Sequence, residues 1–304
     1  MSALGAFRIG TRGSALAVAQ ARLVGEALAA ATGRGFELVR IRTTGDVDRA
    51  PLARIGGTGV FVTAVREALV DGRVDIAVHS FKDLPTAEDA RVALAAVPVR
   101  QDPADVLCAA GNLGLLTLPT AARIGTGSPR RAAQLRRLRP DVEPVAIRGN
   151  ADTRLAAVAD GKVDAVVLAR AGLARLGRLD AITQVFDPTQ MLPAPAQGAL
   201  AVECRADDAA TIAAGAAIDD ATSRQAAVAE RAVLAGLQAG CSAPIGALAT
   251  IAGGTLTLRA RVISDDGRDL LDHESHGPAT DAERIGRAAA EALFAAGAAE
   301  LMRP

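Results

Sequence analysis

The first two hundred residues alternate between short apolar runs and longer segments whose apolar residues recur at helical spacing. This order is typical of a mostly parallel sheet in which a helix follows each strand. In the first part, the pattern predicts a strand, helix, strand, helix and strand at Phe7–Gly10, Ser14–Thr32, Phe36–Thr43, Val60–Val70 and Val74–His79. After Pro119 the same order returns at Arg123–Gly125, Pro129–Leu138, Pro144–Ile147, Asp152–Ala159 and Asp164–Leu168.

Two pairs of segments match between these parts. GTRGS at 10–14 parallels GTGS at 125–128, and DGRVDIAVHS at 71–80 parallels DGKVDAVVLA at 160–169. We interpret them as two related α/β domains facing each other across a cleft, with chance similarity of strand-helix units as the alternative. Ligands of such folds bind at the carboxyl ends of the strands.

The remaining chain predicts a smaller domain of a different kind. Proline-containing stretches at 97–103 and 192–195 are the predicted crossings between the first two domains, and 197–205 is a strand returning to the first. The later pattern predicts a helix, two strands, a hairpin turn and a last helix at 221–238, 245–251, 255–262, 265–267 and 281–301. The expected fold is α/β: two similar domains resembling periplasmic binding proteins, and a smaller α+β C-terminal domain. The expected bounds are 1–98 with 199–218, 104–193, and 221–304.

Composition narrows the class of protein. The chain has 304 residues, half of them hydrophobic, and a formal net charge of zero, which excludes a disordered protein or one small module. The neutral total conceals a basic stretch, because eight arginines and three acidic residues lie between Arg123 and Arg154. Arginine suits bidentate recognition of carboxylate or phosphate. Solvated helix faces are the alternative interpretation of these charges.

Three cysteines, Cys108, Cys204 and Cys241, are widely spaced and form no CxxC pair. That pattern predicts neither disulfides nor a zinc site and favours a reducing compartment. The first ten residues have no basic segment followed by an apolar run, and no apolar stretch of about 18 residues lacks charge, so we expect no signal peptide and no membrane span. The sequence therefore predicts a cytoplasmic protein.

Three places carry candidate chemistry. The two matching loops offer small residues and backbone N–H groups at a helix start, either as ordinary caps or as an anion site near Arg12, Ser14, Thr126 and Ser128. Neither loop matches a nucleotide-binding fingerprint.

The second place is VDIAVHSFKDLPT at 74–86, where Lys82 and Asp83 follow a buried strand. Asp83 is a candidate proton shuttle or counter-ion, with a pair of solvated charges as the alternative. We interpret His79 as a core or wall residue, and the spacing of His273 and His276 as too weak a signal to predict a metal site.

The third place is Cys241, which lies in GCSAP at 240–244 on a predicted tight loop. It could present its sulfur, whereas Cys108 and Cys204 lie in strand-like apolar contexts and are expected to be buried and unreactive.

Together these motifs resemble the porphobilinogen deaminase family, also called hydroxymethylbilane synthases. The resemblance runs in family order from residue 8 to 247. It includes RIGTRGSALAVAQA, TTGD, GGTGVFV, VDIAVHSFKDLPT, RQDPADVL, IGTGSPRRAAQL, RGNADTRL, LPAPAQGALAVECR and GCSAPIGA. The combination of VHSFKDLP, GTxSxRR and GCSxPIG is highly specific.

The resemblance implies an enzyme that joins four porphobilinogen molecules head to tail with loss of ammonia, giving hydroxymethylbilane. It implies a dipyrromethane primer bound by a thioether to Cys241, and Asp83 and Lys82 as catalytic residues. Asp83 would stabilise the azafulvenium cation of the substrate. The residues expected to bind carboxylates of primer and substrate are Arg12, Ser14, Thr126, Ser128, Arg130, Arg131, Arg148 and Arg154. Phe61, Ser80 and Gln197 would form the cleft wall.

Thr58 departs from the family pattern, since many relatives carry lysine there, and Arg54 is a candidate to compensate. The expected partner is the small-molecule substrate porphobilinogen. We expect the protein to be a monomer with no nucleic-acid or membrane partner. One rival is a solute-binding module, against which the Lys82–Asp83 and Gly240–Cys241 motifs count. The other is nucleic-acid binding, against which the absence of Tyr and Trp and the zero net charge count.

Overall fold

The computed structural model describes residues 5–41, 59–240 and 243–302. The chain forms two compact units, Met1–Arg100 with Ala199–Arg224, and Gln101–Gly198 with Gln225–Pro304. Its strands are β1 (Phe7–Thr11), β2 (Phe36–Arg40), β3 (Ile76–Ser80), β4 (Val92–Ala96), β5 (Asp105–Ala109), β6 (Arg123–Gly125), β7 (Glu143–Val145), β8 (Ala165–Ala169), β9 (Gln184–Val185), β10 (Leu200–Arg205), β11 (Ile245–Ala252), β12 (Thr255–Ile263) and β13 (Leu270–Pro278). Its α-helices are α1 (Ala15–Thr32), α2 (Gly59–Val70), α3 (Pro129–Leu138), α4 (Ala151–Ala159), α5 (Arg170–Arg175), α6 (Ala209–Ala216), α7 (Ala221–Gly236), α8 (Ala282–Ala295) and α9 (Ala298–Leu301).

The first unit is built on a five-stranded sheet with the order β2-β1-β3-β10-β4. The strand β1 is parallel to β2 and β3, and β10 is antiparallel to β3 and β4. The helix α1 packs on this sheet through Val24 and Leu28, which join Phe7 and Ile9 in one core. Gly25 permits the close approach, because a Cβ there would lie 2.4 Å from the ring of Phe36.

The helix α1 is also long and apolar enough, by length and composition alone, to cross a membrane, with a hydropathy of 1.2 over 18 residues. In this structure 28% of that window is buried, on the face of α1 that packs on the sheet.

The second unit repeats the arrangement of the first, with the order β7-β6-β8-β5-β9. Here β6 is parallel to β7 and β8, and β5 is antiparallel to β8 and β9. The matching aspartates make the same hydrogen bond in both units. Asp75 accepts from the backbone N–H of Arg8 at 2.9 Å, and Asp164 accepts from the backbone N–H of Arg123 at 2.6 Å. The predicted pair of similar α/β sheets is therefore confirmed.

A three-stranded antiparallel sheet, β11-β12-β13, completes the second unit. One face packs against α7 and α8 through Val233, Ile285 and Leu293. The hairpin between β12 and β13 turns at Gly267, where φ is +78° and a Cβ would lie 2.5 Å from the carbonyl oxygen of Ala133 in α3. A smaller C-terminal layer of strands and helices is thus confirmed, while the finer division into three domains stays a prediction.

Several elements differ from the sequence-based expectation. The pattern does not predict β4 or β5, because β4 is built largely of alanine and β5 follows Pro103 in a stretch interpreted as a crossing. It also misses β13, whose exposed positions are polar. The predicted helix at 281–301 is two helices, α8 and α9, because Gly297 adopts a φ of +99° between them.

A buried charged group lies within the first unit. Arg66 of α2 donates to both oxygens of Glu203, at 2.6 and 2.9 Å, and Nε2 of His79 lies 3.5 Å from the same carboxylate. Burial lowers the pKa of His79 to about 4, against the charge of Glu203 and with help from Arg66 and Arg12. His79 is thus neutral near pH 7, which agrees with its interpretation as a core residue.

This burial makes stability depend on pH. The unfolded chain binds a proton at His79 near pH 6.5 and the folded chain only near pH 4, so acid favours the unfolded state between these values. We expect His79 to contribute a loss of about 3 kcal/mol in the free energy of unfolding from pH 7 to pH 4. Urea unfolding of the wild type and of His79→Gln, compared at several pH values, measures that difference. Parallel curves for the two proteins would contradict the assignment.

A second expectation concerns two glycines that share a positive φ but have different surroundings. Gly198 has a φ of +89° and a Cβ there would lie 2.3 Å from the carbonyl oxygen of Gln101, whereas Gly161 has a φ of +67° with no atom within 4 Å. Gly161→Ala should cost about 1 kcal/mol from backbone conformation alone. Gly198→Ala adds a clash with backbone and should cost at least ~3 kcal/mol. Equal losses in chemical unfolding would show that the close approach at Gly198 is not tight.

Candidate active site

The end of β3 presents Lys82 and Asp83 on a short 3₁₀ turn, Phe81–Asp83. The turn is anchored on both sides by buried side chains, Phe81 and Leu84. The N–H of Phe81 donates to the carbonyl of Ala199 at 3.1 Å, and the N–H of Leu84 donates to that of Phe81 at 3.2 Å. Between these anchors Lys82 is half-buried and Asp83 is exposed. The arrangement holds an accessible carboxylate on a fixed backbone.

Ser80 immediately precedes this turn and is held by a residue that sequence reasoning missed. Gln20 is buried in α1, and its Nε2 donates to Oγ of Ser80 at 2.8 Å. The sequence does contain a signal for Gln20, since it lies between two alanines in an apolar helix. A glutamine buried at such a position needs a hydrogen-bond partner.

Arg12 and Ser14 lie at the end of the neighbouring strand, β1. Ser14 caps α1, with its Oγ accepting from the N–H of Ala17 at 3.3 Å. The positive charge of Arg12 is one of the causes that lower the pKa of His79, which places Arg12 near the end of β3. The described residues predicted in the first unit therefore lie at the carboxyl ends of two parallel strands, the usual ligand edge of such a sheet: Arg12, Ser14, Ser80, Lys82 and Asp83.

The second unit carries the equivalent loop between β6 and α3. Thr126 is buried and its Oγ1 accepts from the N–H of Ser128 at 3.2 Å, while Oγ of Ser128 accepts from the N–H of Arg131 at 3.4 Å. The hydroxyl of Ser128 thus caps α3 and that of Thr126 holds the loop before it, and their binding of an anion stays a prediction. At Gly127 a Cβ would lie 3.9 Å from Nη2 of Arg154, so this loop lies beside the Arg154 guanidinium.

The arginines of the basic stretch have different partners. Arg136 donates to the carbonyl of Asp265 and Arg137 to those of Gly267 and Arg268, so both fasten the β12–β13 hairpin to α3. Arg139 pairs with Asp141, and Arg123 donates to the carbonyl of Gly161. These four arginines, none of which was among the residues expected to bind carboxylates, have partners within the fold.

Arg130 and Arg131 are buried and share the carboxylate of Asp105. Nη1 of Arg130 lies 2.7 Å from Oδ2, and Nη2 of Arg131 lies 2.7 Å from Oδ1. Burial alone would raise the pKa of Asp105, but the charges of Arg130 and Arg131 hold it well below its usual range. Sequence reasoning missed Asp105, the counter-ion that both buried arginines share.

Arg148 is exposed, whereas Arg154 is half-buried. Nε of Arg154 donates to the carbonyl of Gly149 at 3.0 Å, and no acidic side chain among the described residues pairs with it. Burial, and then the charge of Arg131, lowers the pKa of Arg154. Arg154 is thus a cation kept partly out of water with no described carboxylate beside it, and its binding of an anionic ligand stays a prediction.

Arg175 of α5 is likewise a half-buried arginine whose pKa is lowered by burial, and it was not predicted from the sequence. Its Nη2 donates to the carbonyl of Gly198 at 2.6 Å, it has no acidic partner within the described part of the chain, and burial lowers its pKa to about 10. The available signal was an arginine between Leu173 and Leu176 with no acidic residue within four positions.

Gln197, predicted as a wall residue, is fully buried and bonded to Asp105. Cys241, Thr58, Arg54 and the side chain of Phe61 lie outside the described residues. The chain on either side of Cys241 is described: the N–H of Ala243 donates to the carbonyl of Gly240 at 3.0 Å, immediately before β11. Burial raises the pKa of both other thiols, Cys108 and Cys204, to about 11.

No three His, Cys, Asp or Glu side chains come together as a metal site in the described ranges. His273 and His276 lie on β13, opposite Ala260 and Thr257 of β12, and the odd spacing directs them to opposite faces of the sheet.

Comparison with known proteins covers nearly the whole chain. A family model described as "Porphobilinogen deaminase, dipyromethane cofactor binding domain" matches residues 7–213, and one described as "Porphobilinogen deaminase, C-terminal domain" matches residues 224–295. The porphobilinogen deaminase of Mycobacterium marinum is 53% identical, over 97% of this chain and 96% of that protein. The one of Nocardia farcinica is 52% identical, over 97% and 87%.

Solved structures with a similar fold are much more distant. The VFT2 domain of Bordetella pertussis BvgS has a TM-score of 0.42 at 15% identity, covering 70% of this chain and 86% of that one. Immunogenic lipoprotein A from Vibrio vulnificus has a TM-score of 0.43 at 13% identity, covering 69% and 94%. At these TM-scores the likeness carries no conclusion about this chain. The two family models and the relatives at 52–53% identity do support a conclusion: the chain belongs to the porphobilinogen deaminase family.

Proposed function

We propose that the residues of this chain divide the porphobilinogen deaminase reaction between a catalytic turn in the first unit and a set of arginines in the second. The reaction joins four porphobilinogen molecules head to tail, releases ammonia and yields hydroxymethylbilane for tetrapyrrole biosynthesis. When bound, the dipyrromethane cofactor supplies the pyrrole carbon to which the first substrate unit is joined. Substrate and cofactor both carry carboxylate arms, so the chain must bind several anions at once.

One observation carries the assignment of the second unit. Arg154 and Arg175 are half-buried, and neither has an acidic partner among the described residues. A carboxylate-bearing cofactor or substrate fits these two guanidinium groups, since it would supply the missing negative charge. Arg148 is exposed at the same segment as Arg154, and Arg131 lies close enough to influence the pKa of Arg154. We assign carboxylate binding to these four arginines and, in the first unit, to Arg12.

Arg130 has a different role in this proposal. Its side chain is 3% exposed and donates to Asp105 and to the carbonyl of Leu192. We assign it to holding the cluster around Asp105, which in turn supports Arg131. Ser128 and Ser14 cap their helices, Thr126 holds the loop before α3, and the helix starts are further donors for an anion.

The catalytic turn follows from the exposure of Asp83. Loss of ammonia leaves positive charge on the incoming substrate, and a carboxylate close to the pyrrole N–H stabilises that charge and can move protons. Asp83 is exposed on an anchored turn, so it reaches a ligand without reorganising the backbone. Lys82, next to it, is assigned to a substrate carboxylate, and Ser80, held by Gln20, to the wall beside it.

The attachment point is assigned to Cys241 through a thioether. The pKa values of about 11 make the two buried thiols poor nucleophiles at neutral pH, which counts against attachment at either. The two free thiols also support a cytoplasmic location, because reduced cysteines are typical of that compartment. We further infer a monomer that acts on porphobilinogen alone, without a nucleic-acid or membrane partner.

Cys241→Ser tests the attachment. We expect the wild-type protein to be heavier than its sequence by two linked pyrrole units, and the variant to have the mass of its sequence and no activity. Cys108→Ser serves as the control, because it removes a buried thiol and should keep the extra mass. Intact-mass spectrometry reads all three proteins. A wild-type protein of unmodified mass with full activity would exclude attachment and would favour a different use of the fold.

Asp83→Asn tests the catalytic carboxylate. The amide keeps the shape of the side chain but cannot neutralise a cation or accept a proton, so we expect kcat to fall by about 10²-fold or more. The variant should stay folded and carry the cofactor mass. Glu88→Gln removes a nearby exposed carboxylate and should change kcat by less than about twofold. Similar rates for wild type and Asp83→Asn would remove Asp83 from the reaction.

A further inference from the structure

Gln197 is a fully buried glutamine whose amide contacts both members of the Arg131–Asp105 pair. Its Nε2 donates to Oδ1 of Asp105 at 2.8 Å and to the carbonyl of Pro103 at 2.7 Å. Its Oε1 accepts from Nη2 of Arg131 at 3.5 Å. The side chain therefore completes a closed set of contacts with a cation and its counter-ion.

The orientation of this amide is determined by its neighbours. Both Nε2 protons have oxygen acceptors, and Oε1 faces a donor. Rotation by 180° would place Oε1 against two oxygens and Nε2 against a guanidinium, so all three contacts would be lost together. The surroundings thus require an amide here, with its nitrogen towards Asp105.

The backbone that carries Gln197 is held as firmly as the side chain. Ala196 adopts a φ of +60°, which is uncommon for a residue other than glycine, and its N–H donates to Oε2 of Glu230 at 2.6 Å. The other oxygen of Glu230 accepts from the N–H of Ala249 in β11 at 2.8 Å. A buried carboxylate on α7 thus ties the turn before Gln197 to the C-terminal sheet, and this strained turn aims Gln197 at Asp105.

The charge of the group explains why an amide is useful here. Arg130 and Arg131 carry two positive charges and Asp105 one negative charge, so one positive charge remains in excess. Arg131 donates through Nε and Nη2 to Asp105, through Nη2 to Gln197 and through Nη1 to the carbonyl of Val167. A neutral amide orients Arg131 without cancelling this excess, whereas an acidic residue at position 197 would cancel it.

We propose that Gln197 is a positioning residue for carboxylate binding: with Asp105 it keeps the Arg131 guanidinium in one orientation while leaving its charge available to a ligand. The inference rests on the role of Arg131 proposed above. It predicts that changes at Gln197 affect binding of porphobilinogen and loading of the cofactor through Arg131, beyond any effect on folding.

The test compares Gln197→Leu with Gln134→Leu in the full-length protein. Gln134 is a suitable control because it is also a buried glutamine of the second unit, bonded to both backbone groups of Leu192 and to Nη1 of Arg261, and to neither Arg131 nor Asp105. Gln197→Leu should raise KM for porphobilinogen about tenfold with little change in kcat, or should be folded yet lack the cofactor mass. Gln134→Leu should lower the melting temperature comparably and keep KM and the cofactor mass.

A double-mutant cycle with Arg131→Lys tests the route of the effect. Arg131→Lys alone should raise KM, and adding Gln197→Leu to it should raise KM much less than it does in the wild type. Gln197→Glu gives an independent measure and replaces Gln197→Leu if that variant does not fold. Its carboxylate competes for Arg131, so its KM should rise further as the pH increases from 5 to 7.

The outcomes separate the inference from the proposed function. Three results would each overturn the positioning role. The first is that the effects of Gln197→Leu and Arg131→Lys on KM are additive. The others are that Gln197→Leu and Gln134→Leu behave alike, or that KM is unchanged in Gln197→Glu. A normal KM and a normal cofactor mass in Arg131→Lys would instead overturn the assignment of Arg131 to carboxylate binding, whatever the variants of Gln197 do.

Discussion

The second unit depends on one buried anion, the carboxylate of Asp105. Two guanidinium groups lie beside it with almost no exposure, and cations in such a place need a counter-ion within hydrogen-bond distance. Removing one partner from a buried ion pair typically costs about 3–5 kcal/mol, because the other charge is then left without compensation. Asp105 therefore allows two consecutive arginines at the start of α3, Arg130 and Arg131, to be buried. The segment around Gln197, which bonds to the same carboxylate, is fixed by the same requirement.

The two five-stranded sheets show how one arrangement is used for two tasks. After the matching strands β3 and β8, the first unit makes a short 3₁₀ turn and the second continues as the helix α5. The turn exposes Asp83 beside a half-buried Lys82, and the helix carries Arg175 partly out of water. The repeat thus supplies the same sheet edge twice, and in the proposed function the first edge carries the chemistry while the second binds carboxylates.

Much of the fold could be predicted from the sequence because hydrophobic periodicity and the repeated strand–loop–helix segments are local signals. The partners of the charged residues could not, since they are distant in the chain. Asp105 lies 25 positions before Arg130, and the carbonyl that accepts from Arg136 lies 129 positions after it. In sequence the eight arginines form one group, whereas in the structure four of them fasten local or hairpin contacts. Gln20 and Gln197 were hard to assign for the same reason, because a buried amide is recognised by its partners and not by its neighbours.

Only two of the 34 basic residues of the chain are lysines, Lys82 and Lys162, and this scarcity fits the distribution of partners. Arg131 bonds a carboxylate, an amide and a backbone carbonyl in different directions, which the compact ammonium group of lysine cannot do with the same fixed geometry. Arg154 and Arg175 repeat the principle on a smaller scale, each with one nitrogen donating to a backbone carbonyl. A guanidinium tied at one edge keeps its position and still has N–H groups and a full charge for a ligand. For a protein that must hold many carboxylates in defined places, arginine is therefore the better cation, and Lys82 differs because it lies on the turn to which we assign catalysis.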